Sequence, residues 1–157
     1  MKIYYREKSG GIEILRCFGI EGRVEIPGMI DGKLVISAVP YAFSSHMDEK
    51  EDLKNASLWE VSDGLEFGRE EHVLAGNDVE EIVFPYTLKE IGRYIFYGCG
   101  NLKKLEFSDS LMQIGCGAFT GCHALEKLTV HMRQGKKSGV KEMLGEMWQR
   151  IDVNFLY

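Results

Sequence analysis

Four cysteines and four histidines are the residues of this chain best suited to chemistry, and their spacing limits what they can do. Cys116 and Cys122 stand too far apart for the C-x₂₋₄-C arm of a zinc knuckle, and the nearest imidazole is His123. Cys99 and Cys122 fall at one position of a repeat described below, so they read as small buried hydrophobes. Parallel-strand spacing would leave their Cα atoms within disulfide range, but parallel side chains and a reducing compartment favour free thiols. His46, His72, His123 and His131 are scattered, with no serine or cysteine and acid at triad-like spacing. Gly135-Lys136-Lys137-Ser138 lacks the upstream glycine and strand of a phosphate loop. The acidic run Asp48-Glu49-Lys50-Glu51-Asp52 lacks the alternating ligands and central glycine of a calcium loop, and reads as a solvated segment. No catalytic residue, metal ligand or cofactor is assigned, and the chain is read as a non-enzyme.

Charge and hydropathy narrow the partners. A formal net charge of −5 argues against a nucleic-acid face, which usually needs a basic stripe. The basic stretch Arg133, Lys136 and Lys137 is too short to supply one. No run of about 18 apolar residues exists to span a membrane, and Met1–Glu7 lacks the apolar core of a signal peptide. Read as it begins, the chain is expected in the cytosol. With a leader trimmed away, it would belong at the cell surface or outside the cell.

The strongest pattern is repetition. Val79–Asn101 aligns without a gap beneath Leu102–Ala124, a period of 23 residues. Phe84 meets Phe107, Leu88 meets Leu111, Ile91-Gly92 meets Ile114-Gly115, Phe96 meets Phe119, and Gly98-Cys99 meets Gly121-Cys122. A partial copy starts at Leu125, with Leu128 and Val130 in step. Upstream, Leu53–Leu58, Phe67-Gly68 and Val73–Gly76 give a looser copy over 53–78. Val24-Glu25-Ile26-Pro27 and Ala42-Phe43 give another over 21–52, with insertions near Asp31-Gly32-Lys33 and Asp48–Asp52.

Within a copy, Leu105 and Phe107 alternate with Lys104 and Glu106, the period of a short strand with one buried face. Leu111 and Ile114 occupy the return path, Gly115 allows a corner, and Ala118, Phe119 and Cys122 fill the interior. No copy buries these side chains alone, so copies must stack with their strands parallel. The ends then need covers. Lys2–Arg6 and Ile12–Phe18, joined by Lys8-Ser9-Gly10-Gly11, predict a hairpin over residues 1–20. Val140, Met143, Leu144, Met147, Trp148 and Ile151 predict an amphipathic helix over 139–151 with Ser138 as N-cap, and Val153–Tyr157 can add a strand. His46 matches the cysteine position and is expected to close a repeat interior.

These segments, notably Leu88-Lys89-Glu90-Ile91-Gly92 with Ile95-Phe96-Tyr97-Gly98-Cys99, resemble the BspA-like leucine-rich repeat family. Ile114-Gly115, Ala118-Phe119-Thr120-Gly121-Cys122 and the opening Val24–Pro27 share the likeness, which covers roughly residues 11–130. It implies a curved repeat domain, found largely in bacterial proteins and often on cell surfaces, engaged in adhesion or protein contact. It carries no shared catalytic residues. The expected fold is a single leucine-rich-repeat solenoid over 1–157, with short parallel strands, turn or short-helix segments, a hairpin cap and a C-terminal cap over 131–157. The repeats are placed at 21–52, 53–78, 79–101, 102–124 and 125–130.

Outward positions on the strands are left free to encode a surface. One column, Lys54, Glu80, Lys103 and Glu126, alternates in sign and reads as stabilising. The next two, Asn55, Glu81, Lys104, Lys127 and Ser57, Val83, Glu106, Thr129, together with Trp59, are the expected partner-binding face, with Glu25 in line with the second column and His131 just beyond. The expected function is a protein-interaction module using its concave strand face. The alternative is a structural subunit that self-associates, a homodimer in its simplest form.

Overall fold

The computed structural model describes residues 1–47, 49–62 and 70–157. Ser9 and Gly10 both take positive φ (53° and 79°), the pair that a two-residue hairpin turn needs. They join β1 (Lys2–Lys8) to β2 (Gly11–Gly19) in antiparallel register, Lys8 opposite Gly11. A second such turn, Asp31 and Gly32 (51° and 74°), joins β4 (Met29–Ile30) to β5 (Lys33–Ala38), after the short strand β3 (Arg23–Glu25).

Beyond a short helix α1 (Glu49–Asp52), the chain adds β6 (Ser57–Glu60) and β7 (His72–Val73). The 23-residue copies then supply β8 (Glu81–Val83), β9 (Glu90–Ile91), β10 (Lys104–Ser108), β11 (Gln113–Ile114) and β12 (Lys127–His131). Helices α2 (Lys137–Leu144) and α3 (Met147–Arg150) lead into β13 (Asp152–Leu156). The molecule is mostly strand, with few helices.

One sheet runs β13-β12-β10-β8-β3, every pair parallel. A second runs β11-β9-β5-β2-β1-β6, with β11, β9, β5 and β2 parallel and β1 and β6 antiparallel to their neighbours. Register in the first sheet follows the repeat. Ile82, Leu105 and Leu128 are direct partners, each at most 1% exposed. The column Phe84, Phe107 and Val130 beside them is equally inaccessible. Phe43, Phe96 and Phe119 form a chain of rings with centroids 6.1 and 5.8 Å apart.

Five expectations need correction. Ser57–Glu60 does not supply the strand of a second repeat in this ladder. β3 pairs directly with β8, Val24 beside Ile82, and β6 lies antiparallel on the outer edge of β1. Ala56 stands where the true copies carry Ile82 or Leu105, too small to fill that interior, while β1 offers an edge that needs a partner. The Phe67-Gly68 match lies outside the described residues. His46 is exposed, set edge-on against Tyr97 at 4.8 Å, rather than enclosed.

The expected C-terminal helix is two helices, because Gly145 takes φ 57° and breaks the run. Ser138 sits inside α2 rather than capping it, and Trp148 remains 37% exposed while Val140 and Leu144 are buried. Gly115 also differs in its role. A Cβ there would lie 2.2 Å from the backbone nitrogen of Arg93, and one on Gly92 would lie 2.3 Å from that of Pro40. These glycines permit close backbone approach between neighbouring repeats.

Candidate functional site

The outward residues of the parallel sheet form two columns. In the first, Arg23, Glu81, Lys104, Lys127 and Asp152 are direct neighbours in register. In the second, Glu25, Val83, Glu106, Thr129 and Asn154 follow in the same way. The structure therefore brings together six of the nine residues expected at a partner face: Glu81, Val83, Lys104, Glu106, Lys127 and Thr129. Arg23 takes the place expected for Asn55, which lies in the turn before β6 at φ 62°. Ser57 opposes Tyr5 across the β1–β6 pair, away from the columns. Lys54 likewise precedes β6, whereas Glu80, Lys103 and Glu126 follow one another through backbone bonds of 2.8 and 3.0 Å.

Two depressions share this face and meet at Glu106. The smaller, about 190 Å³, is lined by Glu81, Lys104, Glu106, Lys127 and Thr129 over the backbone of Ile82 and Leu105. The larger is a groove of about 740 Å³, lined by Trp59 and Val61 together with Pro27, Val83, Pro85 and Tyr86. Trp59 thus reaches the face from β6, not from the ladder. Its wall exists because β6 adds to β1 and carries the chain alongside β3.

Charge at the groove is paired. Arg23 donates to Glu25 at 3.0 Å and lies 3.5 Å from Glu81. Hydrogen bonding to Glu25, ahead of the attraction of Glu81, pushes the guanidinium pKa higher still. His131 Nε2 lies 3.3 Å from a Glu106 carboxylate oxygen, and its ring meets Tyr86 edge-on at 5.4 Å. The guanidinium of Arg133 sits 3.7 Å over the Tyr86 ring. The groove thus sets an apolar, aromatic lining beside a charged and polar margin.

Arg23, Pro27, Pro85 and Tyr86 were not expected at the site. The alignment of Val24 with Ile82 contained the signal for Arg23, since it places Arg23 beside Glu81.

The cysteines lie elsewhere. Burial pushes the thiols of Cys17, Cys99 and Cys122 up to about 12. Cys99 and Cys122 donate to the carbonyls of Phe43 and Phe96, at 3.2 and 3.3 Å. All four cysteines are free, and Cys116 is exposed. Among the described residues, no three His, Cys, Asp or Glu side chains converge to hold a metal, and no helix is long and apolar enough to cross a membrane.

This parallel ladder with a 23-residue step defines a leucine-rich-repeat fold, and solved structures share it. The chain is similar to a leucine rich cell surface protein from Faecalibacterium prausnitzii A2-165, with 18% identity and a TM-score of 0.53 over 82% of this chain and 31% of that one. It is also similar to a leucine-rich repeat protein from Bacteroides ovatus ATCC 8483, with 23% identity and a TM-score of 0.54 over 83% of this chain and 30% of that one. The chain thus spans under a third of either length. Residues 70–139 match the family described as BspA type Leucine rich repeat region (6 copies). No curated protein matches the chain.

Proposed function

We propose that the chain is a non-catalytic recognition module, a short leucine-rich-repeat solenoid that binds a protein partner on the outward face of its parallel sheet. In this reading β1–β2 closes one end and α2–α3 with β13 closes the other, all within one domain. The observation that carries the proposal is the join between the aromatic groove at Trp59 and Tyr86 and the charged recess at Glu81, Lys104 and Lys127. Apolar anchors at the centre supply affinity, while mixed charge at the margin sets association rate and selectivity. The family's general use in protein contact and adhesion agrees with this reading. So does the cell-surface description of the Faecalibacterium protein, which favours an extracellular setting over a cytosolic one.

The test compares capture of surface proteins from bacterial extracts by the wild type, by Trp59→Ala, and by Glu81→Lys with Lys104→Glu. A partner retained by the wild type and lost from both variants, at unchanged thermal midpoints, supports the site. A partner retained equally by all three overturns it.

A further inference from the structure

The two ends of the parallel sheet differ. At one end β3 is short and outwardly charged, with Arg23 and Glu25, and Pro27 follows it closely. Short length, charge and proline are the devices that keep an edge from accepting another strand. At the other end β13 runs five residues, Asp-Val-Asn-Phe-Leu, with no lysine, arginine or proline. Among the described residues, β12 is its only strand partner.

The hydrogen bonds to β12 identify which groups face outward. The N–H of Asp152 donates to Glu126 O at 3.0 Å, and the carbonyl of Leu156 accepts from the N–H of Met132 at 2.7 Å. Even-numbered residues therefore bond inward to the sheet. By the alternation of a strand, Val153 and Phe155 carry the N–H and C=O groups that point away from it.

We infer that this edge binds a second copy of the same chain, β13 against β13 in antiparallel register, with the two-fold axis at Asn154. That register sets Val153 of one protomer opposite Phe155 of its partner, twice over. In an antiparallel pair such opposed residues exchange both backbone bonds, so four outward N–H groups meet four outward carbonyls. The same register continues the interior columns. Val153 and Phe155 are the half-buried ends of the rows begun by Ile82, Leu105, Leu128 and Phe84, Phe107, Val130. The partner's Phe155 and the partner's Val153 would cover them. On the outward face the two Asn154 side chains meet at the axis, where an amide can both donate and accept. Exposed apolar residues gather at this end: Trp148, Leu156 and Tyr157 are 37, 42 and 86% exposed. The occupant is argued from this self-complementarity; a shift of one residue in register would lose it. The dimer goes beyond the partner face above, whose groove and recess are lined from β3, β6, β8, β10 and β12.

Sedimentation equilibrium of the full chain tests the inference. A strand edge is a small interface, so the mass should rise from monomer toward dimer between about 10 and 500 µM protein. Asn154→Asp and Asn154→Lys each place like charges on the axis, and each should weaken the dimer at least ten-fold. Mixing the two variants in equal amounts opposes unlike charges and should return affinity to within about three-fold of wild type. Glu81→Lys with Lys104→Glu should leave the dimer unchanged, which separates this inference from the partner face. A wild type monomeric through 500 µM overturns the proposal. So does a dimer indifferent to both Asn154 variants, a mixture that fails to recover, or growth beyond two copies.

Discussion

Asp109 is 1% exposed, and its carboxylate accepts N–H bonds from Arg133, Gln134 and Lys136 at 2.8, 2.7 and 3.0 Å. Burial by itself would raise its pKa, but the converging backbone donors outweigh that and hold it below 3.8. A lowered folded-state value stabilises the protein above the ordinary carboxylate pKa, and the contribution is lost as pH falls through the folded one. Asp109→Asn should cost about 1–3 kcal/mol at pH 7. The difference from wild type in urea midpoints should shrink as pH is lowered below about 4. A gap that stays constant to pH 2 would assign the loss to shape rather than charge. The thiols separate in the same residue-by-residue way. Cys116 should react with an aromatic disulfide reagent in the folded protein, whereas Cys17, Cys99 and Cys122 should wait for unfolding. Four thiols reacting together without denaturant would contradict the burial described.

Elements are held by contacts between repeats more than within them. Gly92→Ala and Gly115→Ala would each push a Cβ into neighbouring backbone, which cannot yield as a side-chain tip can. Each should lower stability by about 3 kcal/mol. A thermal melt showing either variant unchanged would mean the repeats can part at that corner without loss. Phe107, fully buried, should cost about 3–5 kcal/mol when replaced by alanine. Phe119 was expected to fill the interior in the same way, but it is only partly buried. Phe119→Ala should therefore cost clearly less than Phe107→Ala in the same urea titration.

On the scale of the whole molecule, β13 covers the edge of β12 that carries Leu128 and Val130, both fully buried. Deleting residues 152–157 should expose those rows and an unpaired strand, giving a lower midpoint and aggregation. Light scattering of the shortened chain measures this directly. A deletion variant as soluble and stable as the full chain would make β13 an appendage, and would remove the basis for the dimer.

The sequence by itself determined the repeat step, the identity of the interior rows and the hairpin turn at Ser9-Gly10. Each rests on short-range rules. Leu105 and Phe107 alternate with charges, glycine favours positive φ, and identical positions 23 residues apart must pair if the copies align. Tertiary structure decided the rest. Residues 53–60 carry enough leucine to pass for a repeat, but Ala56 cannot fill the interior, and the free edge of β1 competes for the strand. That choice moved Asn55 and Ser57 out of the face, brought Arg23 in beside Glu81, and set Trp59 as the wall of a groove. Sequence spacing could not supply these placements, since a strand at the edge of one sheet and a strand inside another share the same two-residue period.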